Sequence, residues 1–392
     1  MRLPERLSLP SEVVEIATTL EGAGHETWCV GGAIRDALLG TAKTDVDLAT
    51  AATPEQVQAL FRRTVPVGLK FGTVGVLDRQ RVLHEVTTFR RDVTTDGRHA
   101  VVAFGASLDD DLARRDFTIN AIAYHPLRHE WRDPFGGAAD LERRLIRAVG
   151  EPAARFQEDY LRILRAIRFA SRLDFRIDEA TWAAAVAVAE GMARLSVERV
   201  RDEWFRSLET ARTLPPLLAR WREVGAAARW LPGLRPGYPL AEEAPANRDP
   251  VLLTAVVSAG AAAALEGLKA SGAEVERARR IERGPAAPTG GSPAEVRRWL
   301  AEVGPAADDL LLAHRLRTGA DAPWREAVAG IRARGEAVSR GELAVTGDDL
   351  RAAGVPPGPA LGRLLGELLD LVLEDPSANT RERLLARARG GS

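Results

Sequence analysis

The sequence predicts an α+β chain: a mixed-sheet domain over residues 1–140, followed by helical modules. Three observations predict it. Short apolar or alternating segments, punctuated by Gly, Thr and Pro, crowd the first 140 residues. From Leu141 onward strand signals disappear, and helical Ala/Leu/Arg/Glu patterns run over 152–230 and 294–335. Two Pro/Gly-rich stretches, Leu231–Pro250 and Gly284–Pro293, interrupt the helical part and read as linkers or surface loops. The modules are expected at 1–140, 141–230, 231–335 and 336–392.

Each element has a local cause. Val13, Val14, Ile16, Ala17 and Leu20 recur at helical spacing, which predicts a helix over 11–24. Thr27–Val30 reads as a short buried strand ending in Gly31-Gly32, and Ala33–Leu39 as a compact helix closed by Gly40. Thr44–Thr50 alternates polar and apolar residues, a strand pattern. Thr53 and Pro54 open a helix through Phe61, as N-cap and first-turn residue. Further strands are expected at Gly72–Leu77, Val82–Phe89 and Val101–Phe104.

Composition narrows the function. Apolar residues at 45% and charged ones at 28% match a globular chain and argue against wholesale disorder. The run Val251–Leu265 is interrupted by Thr254 and Ser258 and stops at Glu266, short of the roughly 20 apolar residues of a membrane span. Met1–Pro10 carries Arg2, Glu5 and Arg6 and has no signal-peptide core, so a cytoplasmic protein is expected. Cys29 is the sole cysteine, which excludes an intrachain disulfide and a cysteine-based zinc site. The six histidines form no HExxH motif. Net charge is −1, so there is no global basic field for nucleic acid, and arginine clusters must be judged locally.

The chemistry concentrates near the N-terminus. Asp45 and Asp47 lie two apart on an expected strand, so both carboxylates leave the same face. Such a pair suits Mg²⁺, a hard ion that completes its octahedron with substrate phosphates and waters. Upstream, Gly31-Gly32 offers unhindered N–H groups where a strand turns into a helix, a geometry that cradles phosphate. Arg35, one turn into that helix, could reach a phosphate or sugar oxygen.

Gly-Gly-x-x-Arg-Asp-x-Leu-Leu-Gly, four residues, then Asp-x-Asp resembles the nucleotidyltransferase superfamily that includes DNA polymerase β. Val30–Thr50 more narrowly resembles class II tRNA nucleotidyltransferases, the CCA-adding enzymes, and the related bacterial poly(A) polymerases. Arg114–Ala121 looks like the family's ribose and triphosphate motif, with Arg115, Asp116 and Asn120. Asp133–Gly137 with Asp140-Leu141 resembles its head-to-neck hinge. Glu158-Asp159-x-x-Arg162-x-x-Arg165-x-x-Arg168 resembles the motif that reads the incoming base. Together these cover roughly 28–176, and Val345–Leu385 matches more loosely.

The resemblance implies a polymerase-β-like head, then all-helical neck, body and tail, the tail binding tRNA. It implies Mg²⁺ at Asp45 and Asp47, CTP and ATP as substrates, and the tRNA acceptor end as partner. Glu85, on the next expected strand, is a candidate third carboxylate; an edge-strand charge is its plain alternative.

Asp159 and Arg162, three apart on an expected helix, would share one face. Asp accepts and Arg only donates. Cytosine and adenine pair an amine with an acceptor ring nitrogen, whereas uracil and guanine pair a carbonyl with a ring N–H. An Asp/Arg pair therefore admits C and A and rejects U and G, each mismatch leaving unpaired groups worth about 1–3 kcal/mol. Arg168, three steps of backward rotation away, lies nearly opposite Asp159 and suits orientation better than reading. Between Glu142 and Arg176 nine Arg face five acidic residues, a local positive surface for an acceptor stem.

The leading expectation is template-independent C-C-A addition with pyrophosphate release. An A-adding enzyme and a poly(A) polymerase are the alternatives within enzymes, and a degenerate, inactive nucleotide- or RNA-binding protein the alternative outside them. Val67–Val74 looks more like the CCA-adding group. Arg90–Leu112 resembles a flexible loop absent from CC-only enzymes, with Thr94–Arg98 expected to be mobile.

Overall fold

The computed structural model describes residues 1–41, 46–95, 100–235, 248–284, 288 and 291–390. The chain forms two compact units, Met1–Leu231 and Pro232–Ser392.

The first unit opens with α1 (Ser11–Gly22), whose Val13, Ile16, Ala17 and Leu20 are buried at helical spacing. β1 (Thr27–Val30) is buried throughout, its Trp28, Cys29 and Val30 being apolar and the Thr27 hydroxyl bonding that of Thr50 at 2.9 Å. Gly31, at φ +77°, then turns the chain into α2 (Gly32–Leu38). There follow β2 (Asp47–Thr50), α3 (Pro54–Leu60), β3 (Thr64–Gly68), β4 (Thr73–Leu77), β5 (Leu83–Thr88), β6 (Arg90–Thr95), β7 (Ala100–Phe104) and α4 (Leu108–Ala113). Thr53 with Gln56 and Ser107 with Asp110 form reciprocal capping boxes that start α3 and α4.

Next come β8 (Ala123–Tyr124), β9 (Trp131–Arg132), α5 (Gly137–Glu142), β10 (Leu145–Ile146), α6 (Pro152–Glu158), α7 (Leu161–Leu173) and β11 (Arg176–Ile177). The unit ends with α8 (Glu179–Ala187), α9 (Val197–Thr210), α10 (Pro215–Glu223) and α11 (Ala226–Trp230).

Seven strands form one mixed sheet in the order β3-β4-β5-β2-β1-β8-β9. β2 and β5 run parallel, with Leu48 opposite Val86. Asp47 and Glu85 each precede that pair by one residue, so they stand side by side on neighbouring strands. β5 lies inside the sheet, between β4 and β2, which corrects the edge-strand alternative for Glu85. Trp28, Val30, Ala49 and Phe89 pack with Leu108 and Leu112 in the core of this domain.

One expectation needs correcting. Strands do not vanish after residue 141: β10 and β11 pair in parallel. At two residues each, neither can display a period of two. Within Arg90–Leu112, β6 and β7 form an antiparallel hairpin, β7 being the strand expected at Val101–Phe104, and α4 begins at Leu108. Thr94 and Thr95 pair within that hairpin with Val101 and Ala100, while residues 96–98 lie outside the described residues.

α7 packs on α9, and both helices bury apolar residues, Ile163, Leu164 and Ile167 on one and Val200 and Trp204 on the other. Trp204 meets Trp221 of α10 edge-to-face at 4.8 Å. Truncating such a tryptophan costs about 3–5 kcal/mol. The described part of the second unit runs mainly as helices, from Pro250–Val257 to Arg381–Gly390. Trp299 and Trp324 share one of its cores; Leu350, Leu368, Val372 and Leu384 share another. No helix among the described residues is long and apolar enough to cross a membrane.

Candidate active site

A cavity of about 630 Å³ opens in the first unit between the sheet and α7. Its lining includes Gly31, Gly32, Arg35, Asp47, Glu85, Arg115, Asp116, Asn120, Asp159, Arg162, Arg165 and Arg168. Every described residue that the sequence singled out for the site is therefore brought together. Asp45 lies outside the described residues.

The sheet wall is set by β1, β2 and β5. Val30, the last residue of β1, faces Asp47 across an antiparallel register. A side chain at Gly31 would bring a Cβ to 3.0 Å from Nη1 of Arg115 and 3.7 Å from Oδ2 of Asp47. Glycine is needed here for its positive φ, and a Cβ would also crowd the tip of Arg115. In-register neighbours on parallel strands project from the same face, so Asp47 and Glu85 present adjacent carboxylates to the cavity.

Behind that wall runs a chain of buried polar groups. Arg35 donates Nε–H and Nη2–H to Oδ1 of Asp36 at 2.8 and 2.6 Å, and Nη1–H to Oδ1 of Asn120 at 2.5 Å. Burial pulls its pKa below the usual arginine value, against the opposing pull of Asp36. The Asn120 amide donates to Oδ1 of Asp116 at 2.9 Å. Asn120 thus spends a donor and an acceptor within the protein, and Arg35 is only 2% exposed. Asp111, also buried, accepts from Arg114 and Arg115 at 2.9 Å each. Burial would raise its pKa; the two guanidiniums outweigh that and lower it.

The neck wall departs from the expected helix geometry. α6 ends at Glu158, and Asp159 has extended backbone, φ −155°, before α7 begins at Leu161. Asp159 and Arg162 are therefore not successive positions on one helix face. Asp159 caps the start of α7, accepting the Leu161 N–H at 3.1 Å, and its Oδ2 accepts from Arg199 of α9 at 2.7 Å. Arg162 donates to Glu158 at 2.6 Å and to the carbonyls of Arg155 and Arg114 at 3.0 and 2.8 Å. Both still line the cavity.

Arg168 is ion-paired with buried Glu203 of α9 and lies 4.3 Å from the Phe169 ring centre. Its ion pair is thus made within the neck, while the charge of Asp116 in the first domain also acts on it.

Nine arginines and four acidic residues line the cavity, an excess of positive charge that suits a polyanion such as a triphosphate. Sequence reading missed Arg90, Arg172 and Arg199 among them. Arg199 carried no local signal, because its partner Asp159 is forty positions away. Asp111 did carry one, since it stands three and four residues before Arg114 and Arg115 on a helical spacing.

A family model described as the Poly A polymerase head domain matches residues 27–147. Models for an RNA- and SrmB-binding site of polymerase A and for tRNA nucleotidyltransferase domain 2 match 174–236 and 321–388. A CCA-adding enzyme of Limosilactobacillus fermentum is 34% identical over 394 residues, 95% of each chain. The CCA-adding enzyme of Leuconostoc mesenteroides is 46% identical over 207 residues, 51% of each chain; the match spans about half the length of such relatives. Among solved structures, the Bacillus stearothermophilus CCA-adding enzyme in complex with CTP superposes with a TM-score of 0.80 at 32% identity. That likeness covers 97% of this chain and 96% of the other.

Proposed function

Because the chain belongs to the CCA-adding enzyme family, we propose that it builds C-C-A on tRNA 3′ ends from CTP and ATP, releasing pyrophosphate. The observation that carries this reading is that one cavity holds head carboxylates Asp47 and Glu85 and neck groups Asp159 and Arg162. A phosphoryl-transfer centre and a base-reading wall then face the same nucleotide.

The donor set fits Mg²⁺: adjacent carboxylates, with Asp45 two residues before Asp47, beside a cradle that a Cβ at Gly31 would fill. Bound there by Asp47 and Asp45, with Glu85 as neighbour, Mg²⁺ would activate the primer hydroxyl and neutralise the departing pyrophosphate. Arg115, held by Asp111, turns its guanidinium toward the triphosphate space beside Gly31. Arg165 and Asn120 fix Asp116, and through it the turn that carries Asn120.

Base choice falls to the neck. The Asp159 carboxylate has lone pairs beyond its two bonds and accepts from the amine of C or A. Arg162 has five N–H groups against three bonds in the protein and donates to the ring nitrogen. Arg199 orients the acceptor, in place of the helix face that the sequence suggested.

The test uses purified protein with tRNA lacking one, two or all three terminal nucleotides, and CTP and ATP supplied singly and together. C-C-A completion on the shortest tRNA supports the reading. Addition of A alone to CC-ended tRNA would make it an A-adding enzyme, and unlimited A addition a poly(A) polymerase.

A further inference from the structure

Two phenylalanines near the cavity rim are left open to solvent: Phe71 is 49% exposed and Phe104 42%. Removing apolar rings from water is favourable, so two of them left open around one arginine ask for an occupant. Both gather around Arg90. Arg90 stands opposite Phe104 in the β6–β7 ladder, donates to the Phe71 carbonyl, and lies 6.0 Å from the Phe71 ring centre. Gly72, at φ +79°, lets Phe104 lie over this turn; a Cβ there would meet Phe104 Cε1 at 2.6 Å. Arg90 and Thr73, next to Gly72, also line the cavity that holds Asp47 and Glu85. The aromatic shelf is thus continuous with the reaction site.

A primer must bring its 3′-hydroxyl to those carboxylates while the incoming nucleotide fills the neck side. Its terminal base then rests at the rim. That base changes identity as the chain grows, so a hydrogen-bonding reader would reject some stages. Stacking accepts any base, because each has a π face. We propose that Phe71 and Phe104, with Arg90, form a stacking shelf for the terminal base of the RNA primer. This rests on the RNA-primer reading above.

The test uses RNA carrying 2-aminopurine at its 3′ end, titrated without nucleotide, alongside steady-state kinetics. Wild type should quench the fluorophore on binding. In Phe71→Ala, Phe104→Ala and the double variant the quench should fall and KM for RNA should rise about tenfold, the size expected for one lost base stack. KM for CTP should stay unchanged. Phe71→Leu should behave like Phe71→Ala, and Phe71→Trp should restore quench and KM.

Leucine variants that match wild type would reduce the rings to ordinary packing and overturn the shelf. So would equal rises in KM for RNA and CTP. A wild type that extends no RNA end overturns the functional reading and the shelf with it. An active wild type with unaltered alanine variants overturns the shelf alone.

Discussion

Arg165 of α7 donates Nε–H and Nη2–H to one oxygen of Asp116, at 2.8 and 2.7 Å, and so ties the neck helix to the head. Burial would raise the Asp116 pKa, but Arg165 and the Asn120 amide hold the carboxyl well below the usual carboxylate range. The constraint passes on through Asn120 to Arg35. Phe169, one turn beyond Arg165, lies under both Arg35 and Arg165, with their guanidiniums 5.0 and 5.3 Å from its centre.

Replacing Asp116 with Asn should therefore cost about 2–3 kcal/mol, less than a fully buried pair because Arg165 is partly exposed. The folded carboxyl titrates below its unfolded value near 3.9, so its contribution to stability is complete above about pH 5 and is lost as pH falls further. In Asp116→Asn, Tm should be lower at neutral pH and fall less steeply between about pH 5 and 3. Equal acid sensitivity in variant and wild type would remove Asp116 as the cause.

Asp47→Ala and Asp45→Ala should each slow nucleotide addition by at least about 10²–10³-fold, with tRNA retention in a gel-shift assay unchanged. Glu85→Gln should show a comparable loss if its carboxylate serves the reaction. Normal turnover in Glu85→Gln would leave Glu85 as a polar residue of the open sheet face.

Asp159→Ala should shrink the preference for CTP and ATP over UTP and GTP, since uracil and guanine carbonyls no longer meet a carboxylate. Arg162 would still oppose their ring N–H, so relaxation is partial, and Asp159→Ala with Arg162→Ala goes further. Arg199→Ala should shift the preference in the same direction by a smaller factor, because it frees the Asp159 carboxylate without removing it. The check is kcat/KM for all four nucleotides; a uniform fall across the four would assign these residues to packing.

Gly137→Ala should destabilise the first unit by about 1–3 kcal/mol. A Cβ there would run into the Thr118 carbonyl oxygen and lie 2.7 Å from Ile122 Cγ1, and the backbone cannot step aside as a flexible side chain can. The urea midpoint measures this. Because Thr118 opens the turn carrying Asn120, kcat should fall as well.

What the sequence made legible was local. Thr53-Pro54 and Gly31-Gly32 announced their caps and turn because the cause lies within a few residues. The shared cavity was legible as a set of motifs, since each motif is contiguous even though their meeting is not. The break at Asp159 was not, because a capping bond to Leu161 and an ion pair from Arg199 decide it, and the second comes from another helix. The interior place of Glu85 was equally hidden. β5 reaches β2 only after two intervening strands have folded outward, and no spacing in the chain encodes that order.

Cys29 sits in the middle of β1, fully buried, and burial drives its thiol pKa far above the usual range. A thiol kept protonated and out of reach is a poor nucleophile toward maleimides and iodoacetamides. The native chain is thus already a silent background for site-directed labelling. A cysteine introduced at an exposed position would be its sole reactive thiol, so fluorophores or spin labels can be placed without first re-engineering the core.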